Sequence, residues 1–167
     1  MLDSLHAHYA LLGLHREAEI QGLRLVFALM RKLSDTDAQI ELARQAADEA
    51  RHLWMLERRL AELRATLSFP ARQPMTLRPL AIGKDSGDTL AAACALKQRA
   101  LLRYTASLPG LDREAAELRE AIAADEKTHL AWFARRLARA RPSPDCSPRI
   151  ERFLEAEDAA FAAVSGA

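Results

Sequence analysis

The sequence predicts an all-α protein: an antiparallel four-helix bundle with one long crossover between its second and third helices, followed by a short C-terminal helix. Three observations carry this. Half of the 167 residues are hydrophobic but only 5% are aromatic, and alanine is prominent. Such a composition suits close-packed helices better than strands, which draw on β-branched and aromatic residues. Apolar residues recur at helical spacing through four long stretches. Proline and glycine, which interrupt helices, gather between those stretches.

The first helix is expected over residues 3–33, interrupted near Gly13, with Leu12, Leu23, Val26 and Met30 at inward spacing. Ser34, Asp35, Thr36 and Asp37 break it and offer N-caps to a second helix over 36–67. So short a break predicts an antiparallel neighbour. Pro70, Pro74, Pro79 and Gly83 exclude a regular helix over 68–87. A loop of that length is explained by a crossover running the length of a bundle. The third helix is expected over 88–108, where Pro109 and Gly110 end it. Asp112 then caps a fourth helix reaching Arg141. Pro142, Pro144 and Pro148 stiffen a linker to a last helix over 149–164, which carries Ile150, Phe153, Leu154 and Phe161. Residues 1–141 are thus expected to form the bundle, and residues 142–167 the linker and short amphipathic helix.

The formal net charge of +1 leaves no basic field for nucleic acid or an anionic membrane. No apolar run approaches the length of a membrane span. Cys94 and Cys146 form no Cys-x-x-Cys pair, which argues against a cysteine-rich metal site and fits a reducing compartment. The opening residues Met1-Leu2-Asp3-Ser4-Leu5-His6 lack a basic region followed by an apolar core, so a cytoplasmic location is expected.

The chemistry is carried by two Glu-x-x-His pairs. The second helix contains Asp48-Glu49-Ala50-Arg51-His52-Leu53, and the fourth contains Asp125-Glu126-Lys127-Thr128-His129-Leu130. Residues three apart on a helix share a face, so each glutamate and its histidine can reach one ion. Leu42, Leu53, Leu56 and Leu60 share the face of the first pair, and Ile122, Leu130, Phe133 and Leu137 that of the second. Both pairs therefore point inward, where charge is costly unless paired or metal-bound. A single such pair is a weak signal; two, each mid-helix within Asp-Glu-x-x-His-Leu, are far more specific.

The halves of the chain also repeat. Glu49 to Glu126 and His52 to His129 are both 77 positions. At an offset of 78, Glu19 of the first helix falls on Lys97 of the third, Gly22 on Ala100, Leu23 on Leu101 and Val26 on Tyr104.

Residues 5–140 resemble the ferritin-like di-metal carboxylate superfamily of bacterioferritins, rubrerythrins and small di-iron oxygenases. In that superfamily the first and third helices each supply one glutamate, and the second and fourth each supply Glu-x-x-His. The resemblance implies Glu19 as a terminal ligand, Glu49 and Glu126 as bridging ligands, and His52 and His129 as ligands of one ion each. It implies iron or manganese, suited to mixed carboxylate and imidazole ligation. It further implies an oxidoreductase that activates dioxygen or peroxide toward a small-molecule substrate, with a homodimer as a compatible assembly. An iron-storage or ferroxidase subunit is the alternative.

Lys97 departs from the pattern, standing where the third helix's glutamate belongs; Gln98 beside it points about 100° away. Three carboxylates and one ammonium leave a charge near −2, which one divalent cation neutralises. The expectation is a single metal position held by Glu19, Glu49, His52 and Glu126. The position near His129 is then weakened or filled by the Lys97 ammonium. A carbamylated Lys97 would restore a carboxylate, and a metal-free Lys97–glutamate network is a third reading. Lys97 and Tyr104 are the candidate catalytic side chains, Tyr104 for a redox role near the site.

Of the other polar residues, Asp48 and Asp125 are placed to hold the histidine of the opposite pair. His15 is a candidate accessory ligand, and Cys94 a small core residue. His6 and His8 are expected at the surface, and Tyr9, Trp54 and Trp132 in packing. Arg58, Arg59, Arg135 and Arg136 read as solvated helix faces.

Overall fold

The computed structural model describes residues 2–67, 85–106 and 112–165. They form five helices: α1 (Leu2–Met30), α2 (Thr36–Leu67), α3 (Ser86–Thr105), α4 (Arg113–Leu137) and α5 (Cys146–Ser165). No strand occurs among the described residues. None of the helices is long and apolar enough to cross a membrane.

The helices pack as a bundle in which α1 contacts α2 and α3, α4 contacts α2 and α3, and α5 lies on α1 and α3. The α1–α2 and α3–α4 interfaces are the broadest and the α2–α4 seam is narrow. Neighbours in this ring run antiparallel. Tyr9 of α1 meets Arg64 of α2, while Met30 at the other end of α1 meets Gln39. Lys32 just beyond α1 bonds Thr89 early in α3, and Glu19 bonds Tyr104 late in α3. Across the seam, Asp35 meets Arg136 and Arg59 meets Glu114. The end of α2 thus lies beside Tyr9 and the start of α3 beside Lys32, at opposite ends of α1. The crossover expected over 68–87 falls mainly on residues 68–84, outside the described residues.

Two apolar layers fill the interior. Leu25, Val26, Leu29, Leu42, Leu96 and Phe133 belong to one, and Leu12, Leu56, Leu60, Tyr104, Leu118 and Ile122 to the other. The Glu-x-x-His pairs lie between these layers on both α2 and α4, which places a polar stratum inside an apolar bundle.

Several helix ends depart from the expectation. α1 runs unbroken through Gly13, which is buried against its neighbours; an internal glycine costs a helix only about 1 kcal/mol, and packing overrides it. It ends at Met30 rather than 33, where Gln39 Nε2 donates to the Met30 and Leu33 carbonyls. α3 starts at Ser86, not 88, because Asp85 is its N-cap and accepts from the Asp88 amide at 2.8 Å. Asp112 caps α4 as the sequence indicates, accepting from Ala115 at 2.8 Å, but the helix stops at Leu137, short of 141. α5 begins at Cys146 and takes Pro148 into its first turn, where proline's missing N–H has no intrahelical partner to lose.

Asp88, only 3% exposed, fastens the approach to α5. It accepts from the Ser143 amide at 2.6 Å, the Ser143 hydroxyl at 2.9 Å and Arg149 at 2.7 Å. Farther along, Arg103 pairs with Glu157 and Asp158, and Phe161 meets the His15 ring edge-on at 5.5 Å.

Phe133 is fully buried at the end of α4's inward stripe. Its replacement by alanine is expected to cost about 3–5 kcal/mol, read as a lower urea midpoint with an unchanged slope.

Candidate metal centre

The polar stratum takes one side chain from α1, one from α3 and two each from α2 and α4. Glu19, Glu49, His52, Lys97, Glu126 and His129 are each at most 4% exposed. One donor atom from each of Glu19, Glu49, His52 and Glu126 lies within 4.8 Å of the others. Donors about 2.0–2.2 Å from an ion lie up to about 4.4 Å apart across it. Small side-chain shifts therefore turn this group into a coordination shell, and it can hold a metal ion.

The contacts divide the stratum into two sides. On one, His52 Nδ1 lies 3.0 Å from Glu19 Oε2 and 3.9 Å from Glu126 Oε1. The Tyr104 hydroxyl donates to Glu19 Oε1 at 2.6 Å. On the other, the Lys97 ammonium donates to Glu49 Oε1 and, at 2.7 Å, to Glu126 Oε1. His129 Nδ1 faces those same two oxygens at 3.3 and 3.4 Å. The ammonium thus shares the carboxylate oxygens nearest His129. The second oxygens, Glu49 Oε2 and Glu126 Oε2, are buried without a nitrogen or hydroxyl donor, an expensive state for carboxylates, relieved at Glu49 when the Glu19 carboxyl carries a proton and donates to it.

Gly22 makes room for this arrangement. A Cβ at that position would lie 2.7 Å from Glu49 Oε2 and 3.2 Å from Lys97 Nζ. Any larger residue at position 22 would push the carboxylate or the ammonium aside.

The far sides of the imidazoles are held as the sequence suggests. His52 Nε2 lies 3.0 Å from Asp125 Oδ2, and His129 Nε2 lies 3.1 Å from Asp48 Oδ2, so each aspartate serves the ring of the opposite pair. Of the other expectations, those for His15, His8 and Trp54 do not hold, while Trp132, Cys94 and Tyr9 pack as expected. His15 is not in the ligand group; its ring stacks on Tyr104 at 4.3 Å. Burial, with Arg119 and Arg103 nearby, holds its imidazole down to about 3, so it is neutral. His8 is buried rather than superficial, since α1 turns that face inward. Trp54 is 60% exposed, with Arg58 over its ring, so it is not a core residue. Trp132 packs edge-on against Phe133, Cys94 is half-buried against the apolar layer, and Tyr9 accepts from Arg64.

Electrostatics sharpen the division. Burial, then repulsion from Glu49, raises the Glu19 carboxyl to about 7. Burial also acts upward on Glu49, but Lys97 and the hydrogen-bonding groups around it prevail and bring it down to about 2. For Lys97, burial works against the charge and is outweighed by Glu126, Glu49 and Glu19, so the ammonium is held charged. His129 is likewise depressed by burial but raised to about 9 by the facing carboxylates. Tyr104, raised by burial and by Glu19, stays a neutral phenol. With neutral imidazoles and ionised carboxylates the stratum carries about −2, a charge that one divalent cation or two imidazole protons would cancel.

Gly22 and the arginines beyond the aspartates escape a search for ligands. A glycine inside a helix, on its inward stripe, was the available signal for the first. For the arginines, the i, i+3 spacing of Asp48 and Arg51 gave no hint of a bond across to α4.

Two outcomes follow for the chain in EDTA. In Lys97→Met the two glutamates lose their cation, an expected cost of about 3–5 kcal/mol at neutral pH, largely recovered near pH 5, where carboxyls take up protons. Glu19 binds its proton more tightly folded, at about 7, than at its ordinary value of 4.5. Its contribution to stability is therefore complete below about 4.5 and lost as pH rises through about 7. Glu49 has the opposite sign, its contribution being lost as pH falls below about 4.5 toward 2. Urea unfolding from pH 5 to 8 is expected to show declining stability, with a shallower decline in Glu19→Gln.

Comparison with protein-family models, with curated proteins and with solved structures gives no match to this chain. What the buried cluster does must be read from its own side chains.

Proposed function

We propose that the chain is a ferritin-like four-helix bundle that holds one iron or manganese ion per chain and uses it to activate dioxygen or peroxide toward a small-molecule substrate. The observation that carries this reading is the buried convergence of Glu19, Glu49, His52 and Glu126 on one point. The second oxygens of Glu49 and Glu126, buried without a nitrogen or hydroxyl donor, fit it.

Hard carboxylates with one imidazole suit iron or manganese. A bound ion of this kind supplies redox equivalents and an open coordination position. The chain's own groups do the rest. Lys97 holds Glu49 and Glu126 by their shared-side oxygens and supplies the positive charge that a second ion would otherwise bring. Tyr104 donates to Glu19 and fixes which Glu19 oxygen faces the cluster. The apolar layers on either side exclude water. His129, bonded to the half-buried Asp48, offers a path for a proton between the carboxylates and solvent.

A second reading is favoured by the bonds from Lys97 to both glutamates: a metal-free bundle whose internal charges cancel through the ammonium and the imidazolium ions.

Metal quantification after loading with iron(II) or manganese(II) and desalting tests the proposal. One ion per chain, lost in Glu49→Gln, and metal-dependent consumption of dioxygen or peroxide with a reductant are expected. Lys97→Glu is expected to raise the count toward two. No retained metal and no change in thermal stability would instead establish the metal-free network.

A further inference from the structure

Asp48 and Asp125 differ in what lies behind them. Asp48 has two guanidinium partners: Arg44 NH1 at 2.9 Å from Oδ2 and Arg51 NH2 at 3.1 Å from Oδ1. Asp125 has one, the same Arg51 NH2, at 2.7 Å from Oδ2. That oxygen also faces His52 Nε2 at 3.0 Å. Arg51 and His52 are adjacent on α2, yet they meet on one carboxylate oxygen of α4, across the narrowest interface of the bundle. The Arg51 side chain is 46% exposed and His52 fully buried, so a surface side chain is coupled to an interior ring.

The geometry points to Arg51 as a positioning residue for His52: by anchoring Asp125 across the α2–α4 seam it sets the ring whose Nδ1 faces the cluster. His52 belongs to the four-residue group that can hold an ion, whereas His129 does not. Arg51 is thus the guanidinium that bonds the aspartate of the metal-binding side, with a second, longer bond to Asp48, whereas Arg44 bonds Asp48 and Glu41 and leaves Asp125 alone. The inference rests on the single-ion reading for its metal consequence, but not for its effect on the ring.

The sign of the effect separates positioning from simple charge. Removing a cation near a metal site strengthens metal binding if the cation acts only through repulsion. Removing a group that orients a ligand's partner weakens it; direct partners of ligating histidines are typically worth about 10–100-fold in affinity.

Manganese(II) affinity of the full chain, measured by electron paramagnetic resonance of the free ion, is expected to fall roughly tenfold in Arg51→Gln. Arg44→Gln, which removes the same charge nearby, is expected to equal or slightly exceed the wild type. One Arg51 nitrogen serves both aspartates, so Arg51→Lys is expected to restore most of the affinity. In metal-free protein, nitrogen NMR of the imidazoles is expected to show the His52 signals displaced in Arg51→Gln and unmoved in Arg44→Gln. Arg51→Gln binding manganese as tightly as the wild type or more tightly, or leaving the His52 signals in place, overturns the assignment. If the wild type binds no manganese, the proposed function falls while the NMR comparison still decides the role of Arg51.

Discussion

The organising constraint of this molecule is the Lys97 ammonium lodged between Glu49 and Glu126. Both glutamates are fully buried, and Lys97 is only 4% exposed. Unpaired carboxylates in such a place would be costly enough to unfold a domain of ordinary stability. The ammonium makes the stratum tolerable, and its cost is offset by packing: apolar layers on both sides, broad α1–α2 and α3–α4 interfaces, and a glycine that lets the ammonium approach. Gly22, Lys97 and Glu49 form a steric and electrostatic unit drawn from three helices.

That constraint makes the two halves chemically unequal. The internal repeat gives α2 and α4 the same Glu-x-x-His pair, and each aspartate holds the opposite ring in the same way. The symmetry fails at the position where Glu19 of α1 meets Lys97 of α3. On the Glu19 side a carboxylate, a phenol and an imidazole converge, and Glu19 and His52 join Glu49 and Glu126 in the group that can hold a metal ion. On the Lys97 side the cation is part of the protein. The bundle thus carries one group of side chains that can hold an ion and, beside His129, carboxylates already paired with Lys97.

Much of this was legible in the sequence, and the reasons are specific. The Glu-x-x-His pairs were readable because three-residue spacing on a helix fixes relative direction, and the stripe around each pair fixes which direction is inward. The offset between halves located Glu19 and Lys97. Charge counting then set Lys97 apart as the one cation expected among the carboxylates, and the structure pairs it with Glu49 and Glu126. Less was legible where the outcome depends on contacts between helices. Gly13 looked like a break, but tertiary packing outweighs its weak propensity. His8 and Trp54 exchanged expected environments because the rotation of α1 and the width of the α2–α4 seam are properties of the assembled bundle. The start of α5 was placed late because a proline early in a helix looks like a proline before one. The crossover expected over residues 68–87 falls mainly outside those described.

The second reading, a metal-free network, uses the same contacts and differs only in what cancels the remaining negative charge. An ion and a pair of protons are told apart by direct observation. Crystals grown with manganese and measured for anomalous scattering would settle the point. The account predicts one peak per chain, bounded by Glu19, Glu49, His52 and Glu126, with the Lys97 amine still bonded to Glu49 and Glu126. Two peaks bridged by the glutamates with Lys97 displaced, or no peak with the stratum unchanged, would contradict it.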